Sequence, residues 1–126
     1  MITVGLIARA GGLNKELIVS LIPKSVTLPF AIDISHIYGG NPALTVTFVV
    51  ATGTLGGIIG PAFLSWAGVK DPVSRGLALG SVSHGLGIAS ALLESEEAGA
   101  MAGLAMVLAG IITTLLAPLL MPLLAG

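Results

Sequence analysis

Uncharged runs dominate the pattern of this chain: residues 34–69, 76–93 and 98–126 contain no Asp, Glu, Lys or Arg. A helix needs about 20 apolar residues to cross the hydrocarbon core of a bilayer. The first and third runs exceed that length, and the second is marginal. Residues 42 to 66, PALTVTFVVATGTLGGIIGPAFLSW, predict a spanning helix opened by Pro42 at a first-turn position. Trp66 falls where interfacial aromatics collect, and Pro61 predicts a kink. Residues 96 to 124 predict a second span, bent or ended by Pro118 and Pro122.

Two further segments, 16 to 38 and 77 to 93, are long enough to enter the membrane but are interrupted by Pro, Gly and hydroxyl residues. They predict broken or re-entrant helices. At the N-terminus, MITVGLIA supplies too few apolar residues before Arg9 to span. It reads as the tail of a longer helix, and the chain as one half of a larger membrane protein. The expected fold class is all-α: a polytopic membrane protein with two spanning helices, two broken or re-entrant segments and a truncated N-terminal helix, in a single membrane domain over 1–126.

Arg9 and Lys15 fall in one loop, Lys70 and Arg75 in another, while the YGGNP and ESEE loops carry no positive residue. Full crossing by both interrupted segments would place the two basic loops on the cytoplasmic side, giving four crossings after the first helix. Re-entrant hairpins would change that count. A weak repeat matches Ser25, Val26, Thr27 and Ile32 to Ser81, Val82, Ser83 and Ile88, then Ala43, Val50, Gly53 and Pro61 to Ala100, Val107, Gly110 and Pro118. Each unit, about 16–66 and 77–124, would be a broken segment followed by an intact helix. Paired interrupted helices are a sequence pointer to a transporter binding site. Gly53/Gly57, Gly56/Gly60, Gly76/Gly80 and Gly99/Gly103 have the spacing that lets membrane helices approach closely.

Composition agrees: 55% of residues are hydrophobic and 9% charged, with a mean hydropathy of +1.06, outside the range of a soluble domain. A net charge of -1 leaves no basic surface for phosphates, which excludes nucleic acid. The absence of cysteine excludes disulfides, thiolate chemistry and cysteine-ligated metal.

The stretch IPKSVTLPFAIDIS holds Lys24 and Asp33 in an otherwise apolar or hydroxylated run. Pro29 has no N–H and disfavours a helical Leu28, so a helix reaching Pro23 should stop and another restart near Pro29. A break at membrane depth needs protein or a wet cavity to satisfy its backbone. There the restarted helix, Lys24, Ser25 and Thr27 would cradle a carboxylate. The alternative has Lys24 snorkelling to an interface and Asp33 capping or pairing; Asp33 otherwise suits proton or cation coupling. GSVSHGLGIAS, from Gly80 to Ser90, gathers Ser81, Ser83 and His84 among glycines. His84 could bind substrate or shuttle a proton, whereas a lone histidine is more often structural; His36 reads as interfacial. No hydrolase elbow, metalloprotease or phosphate-loop motif occurs. No catalytic residue, metal site or cofactor is therefore expected. Glu94, Glu96 and Glu97 read as a solvated acidic loop.

PKSVTLPFAIDIS, GGNPALTVTFVVATGTLGGIIGP, KDPVSRGLALGSVSHGLGIASALLE and EEAGAMAGLAMVLAGIITTLLAPLL together resemble the LrgB/CidB family of bacterial membrane proteins. The match covers nearly the whole chain. Its strongest elements are Pro23 to Thr27, Asp71-Pro72 with Arg75 to Gly80, and His84-Gly85 followed by Gly87. Family members are usually about twice as long, so the resemblance implies a C-terminal half. Relatives often carry threonine and a basic or polar residue where this chain has Ile88 and Ser90.

The resemblance implies a multi-pass protein of the bacterial plasma membrane. Its members are described both as antiholin-like modulators of murein hydrolase export and lysis, and as carriers of small carboxylates such as pyruvate, glycolate or glycerate. It implies a holin-like partner of LrgA/CidA type and a homo-oligomer in the lipid bilayer. The preferred expectation is a proton-coupled carrier: Lys24, Ser25, Thr27, Ser81, Ser83 and His84 bind a small carboxylate, and Asp33 or His84 couples it to protons. The runner-up is a regulator acting through helix contacts.

Overall fold

The computed structural model describes residues 1–125, all of whose regular elements are helical. In chain order they are α1 (Ile2–Ala10), α2 (Lys15–Leu21), a 3-10 turn (Ile22–Ser25), α3 (Leu28–Ile37), α4 (Pro42–Trp66), α5 (Pro72–Glu94) and α6 (Glu96–Ala125). Local chemistry sets most boundaries. Asn14 caps α2 by accepting from the Leu17 N–H at 2.9 Å, and Asn41 does the same for α4 through Ala43 at 3.0 Å, ahead of Pro42. Asp71 caps α5 by accepting from the Ser74 N–H and hydroxyl at 2.8 and 2.7 Å. The Ser95 hydroxyl accepts from Ala98 in the first turn of α6. After α3 and α4 the chain turns through Gly39 (φ +82) and Gly68 (φ +77), a region that side chains with a Cβ disfavour.

Three helices, α4, α5 and α6, are long and apolar enough to cross a membrane by length and composition. α4 and α6 run where the two spans were expected. In α4, Pro61 has no N–H for the Gly57 carbonyl four residues back. The Ser90 hydroxyl takes that N–H's place at 2.8 Å, the usual way a proline is accommodated in a membrane helix. Trp66, 82% exposed, closes α4 beside Phe63 with ring centroids 5.8 Å apart.

The chain divides into two compact units. The first comprises Met1–Val50 and the chain from Gly110 onward. Its core joins Ala8, Ile18, Val19, Ile22 and Ile34 to Ala117, Met121 and Leu124. Here the segment 15–37 folds back on itself. The Asn41 N–H donates to the Ser20 hydroxyl at 2.7 Å, and its side-chain amide to Glu16 at 3.2 Å. Ser20 and Asn41 lie 21 residues apart in sequence, which a straight helix would hold about 31 Å apart. The buried hydroxyls of this unit are paired as well: Thr45 donates to Ser35 at 2.7 Å.

The second unit is Ala51–Ala109. Its core is Leu79, Ala91, Ala98 and Ala102. α5 was expected to break between Gly80 and Ser90, and within it one residue, His84, leaves helical geometry at φ 51, ψ -131. Those angles match the first central position of a type II′ turn, where glycine is the usual occupant. They reverse the chain. A Cβ on Gly87 would lie 2.7 Å from the carbonyl carbon of Leu79, although a straight helix would separate these residues by about 12 Å. Arg75 and Glu94, near the two ends of α5, form an ion pair with Nε to Oε2 at 2.6 Å. α5 is therefore two arms folded against each other, with His84 at the tip.

Candidate functional site

In the first unit the predicted residues gather where α2 passes through the 3-10 turn into α3. Leu21 ends α2, the turn carries Lys24 and Ser25, and Val26 is extended at φ -124, ψ 169. Thr27 is the N-cap residue of α3, with Pro29 in its first turn. The two prolines thus act as their missing N–H groups and fixed φ require: each sits where a helix starts afresh. Lys24, Ser25 and Thr27 are half-buried, while Asp33, further along α3, is exposed, as is His36. Lys24 lines a cavity of about 400 Å³ together with Val4, Ile7, Ala8, Leu13 and Leu21.

In the second unit, Ser83 and His84 occupy the tip of α5, 1% and 6% exposed. The tip rests on a glycine face of α4. A Cβ on Gly53 would lie 3.4 Å from the His84 ring and from the Ser83 carbonyl, and one on Gly56 would collide with the Ser83 hydroxyl. Gly57 and Gly60 extend this face against Leu86 and Leu79. On the other side, Gly76 and Gly80 sit against the backbone of Ala98 and Ala102 in α6. Ser81 lies outside this packing. It is exposed, and its hydroxyl donates to the Leu77 carbonyl at 2.6 Å, one turn back in its own helix. A cavity of about 300 Å³ beside Ser83 is bounded by Gly56, Gly60, Phe63, Leu79 and Val82. Its walls are apolar apart from the Ser83 hydroxyl, so by itself it suits an aliphatic group better than an anion.

The acidic loop is corrected at one position. Glu94 is engaged by Arg75, whose Nε and Nη2 donate to its two carboxylate oxygens at 2.6 Å each. Glu96 and Glu97 remain exposed in the first turn of α6, where carboxylates favour the helix dipole. The Arg75–Glu94 pair was hidden in the sequence because 19 residues exceed the reach of any same-helix pair. The partnership of Ser90 with Gly57 left one trace: Pro61 implies an unpaired carbonyl four residues before it. Among the described residues, no three His, Asp or Glu side chains come together as a metal-binding group.

The sequence profile of the LrgB-like family matches residues 1–123. An uncharacterized protein of Bacillus subtilis, YxaC, is 40% identical over 94% of this chain and 52% of its own length. An uncharacterized protein of Haemophilus influenzae is 41% identical over 94% of this chain and 51% of its own. The holin-like protein CidB of Staphylococcus aureus is 37% identical over 89% of this chain and 49% of its own. The chain thus spans about half the length of the curated relatives it matches. No solved structure matches it. Long apolar helices and a family profile covering almost every residue lead to one conclusion: this membrane protein belongs to the LrgB-like family.

Proposed function

We propose that the chain is part of a secondary carrier for small monocarboxylates of the pyruvate, glycolate or glycerate type, driven by protons, in the bacterial plasma membrane. The observation that carries this reading is the geometry of His84. Its positive φ costs of order 1–3 kcal/mol in a residue with a Cβ, and such strain gathers where a backbone turn has work to do. The tip of α5 brings a titratable ring, a buried hydroxyl and a broken helix together in a membrane segment. The first turn supports the same chemistry with Lys24, Ser25 and Thr27.

In this reading, within the first unit Lys24 supplies a positive charge and Ser25 and Thr27 donate hydrogen bonds to a carboxylate, and within the second Ser83 offers a hydroxyl at the tip of α5. His84 or Asp33 takes and releases the coupled proton. Ser81 contributes less, because its hydroxyl is already engaged by Leu77. The reaction is transport, with no covalent chemistry and no cofactor, and α4 and α6 make the membrane crossings. The test is uptake of labelled pyruvate, glycolate and glycerate by the full-length protein in proteoliposomes under an imposed pH gradient. Saturable uptake that falls when the gradient is collapsed supports the carrier; correctly inserted protein without uptake refutes it.

The second reading is an antiholin-like regulator of murein hydrolase export and lysis. It is favoured by the holin-like name of the CidB relatives and by exposed apolar side chains along α4 and α6, among them Ile58, Phe63, Ile112 and Leu115. Such a protein would bind a small holin-like membrane partner through those faces and carry no anion. Adding that partner to the proteoliposomes separates the readings: a regulator binds it and still transports nothing.

A further inference from the structure

Arg75 ties three parts of the second unit together. Besides its two bonds to Glu94, Nη1 donates to the Val69 carbonyl at 2.8 Å and Nη2 to the Pro61 carbonyl at 3.0 Å. The guanidinium thus joins both ends of α5 to the close of α4 and to the loop between them. Arg75 and Glu94 side chains are 11% and 25% exposed, and their fork-to-fork contact is the strong form of ion pair. If α5 crossed the bilayer as a rod, these two charges would lie about 28 Å apart and could not meet. Every charged residue around α5 also sits at this end of the hairpin: Lys70, Asp71, Arg75, Glu94, Glu96 and Glu97, with none between 76 and 93. From Arg75 to His84 the outgoing arm rises about 14 Å, roughly half of a hydrocarbon core of about 30 Å.

We propose that α5 is a re-entrant hairpin: it enters and leaves the membrane on the same face and reaches about half depth at Ser83 and His84. Arg75 is the positioning residue that closes its base. The Arg75 side chain touches no substrate; it fixes the register of the two arms, and through them the place of the tip. Val69 and Pro61 tie that clasp to backbone outside the hairpin. The inference rests on the membrane reading of the chain and is independent of what, if anything, is carried.

The sequence contains no cysteine, so single introduced thiols report sidedness without a background. Lys70→Cys and Glu96→Cys, both at exposed positions, are made in the full-length protein and treated with a membrane-impermeant maleimide in right-side-out and inverted vesicles. Both should label in the same vesicle orientation; labelling from opposite sides overturns the hairpin. Gly85→Cys, at a position whose Cβ would meet nothing within 4 Å, then reports the tip. Its labelling rate should change severalfold with Arg75→Ala and less with Glu94→Gln. The exchange Arg75→Glu with Glu94→Arg should bring it partway back. An unchanged rate in both Arg75→Ala and the milder Arg75→Lys removes the positioning role. Same-side labelling without carboxylate uptake would refute the carrier alone.

Discussion

Gly80 and Gly103 offer opposite outcomes from one substitution, both within the second unit. A Cβ built on Gly80 would lie 2.6 Å from the Cα and carbonyl carbon of Ala102 and closer still to its oxygen. Comfortable carbon contacts are about 3.5–4.0 Å, so Gly80→Ala forces α5 and α6 apart by about 1 Å. Every struck atom is backbone, which removes the option of a side chain swinging away. Overpacking of this kind costs about 1–3 kcal/mol, against which an alanine in a helix returns at most about 1 kcal/mol. A net loss of about 1 kcal/mol follows. Gly103 has nothing within 4 Å of its Cβ position, so Gly103→Ala keeps only the helix term, a gain of about 0.5–1 kcal/mol. The helix term is common to both variants, so they should differ by the overpacking cost of about 1–3 kcal/mol, or about 5- to 150-fold in the folding equilibrium at about 1.4 kcal/mol per decade. Unfolding of the purified protein in detergent micelles titrated with dodecyl sulfate measures it. Equal effects, or stabilisation by Gly80→Ala, would show that α5 and α6 do not meet at this backbone contact.

Ser90→Ala should cost about 1–2 kcal/mol by orphaning the Gly57 carbonyl, and the cost should nearly vanish in a Pro61→Ala background, which restores the helical N–H; a double-mutant cycle with no coupling refutes the substitution of Ser90 for that N–H. The Ser74 hydroxyl, and then its backbone N–H, hold the Asp71 carboxyl below the ordinary carboxylate range. Its contribution is therefore complete above the unfolded pKa of about 3.9 and lost as pH falls through the lowered folded value. Ser74→Ala should flatten the acid limb of Tm against pH below about pH 4, and an identical limb in the variant contradicts the cap. Lys24→Ala and His84→Gln should each abolish proton-driven carboxylate uptake at normal membrane levels while leaving any holin-like partner bound; retained uptake in both variants removes these residues from the carrier.

Periodicity and punctuation made much of this fold legible without coordinates. Charge-free stretches of sufficient length mark α4 and α6, because hydrocarbon admits little else. Pro42, Asn41 and Asp71 announce helix starts, since a missing N–H or a short polar side chain suits that one place in a helix. Pro23 and Pro29 likewise located the interruption beside Lys24. The Gly80 to Ser90 stretch was recognisable as a break in a helix. That it would reverse at His84 was not, because the tip rests against Gly53 and Gly56 of another helix, a contact that local sequence does not announce. Local preference would have chosen a glycine. Arg75 and Glu94 read as separate surface charges until the fold brought them together. Ser90 and Gly57 likewise paired only through the fold, since their bond depends on two elements meeting. Sequence by itself determined which segments are long and apolar enough to cross a membrane and where helices begin, since both follow from composition and short-range sterics. Tertiary structure alone decided which segment turns back and which polar groups pair across it, because those depend on contacts between residues that are close in space and distant along the chain.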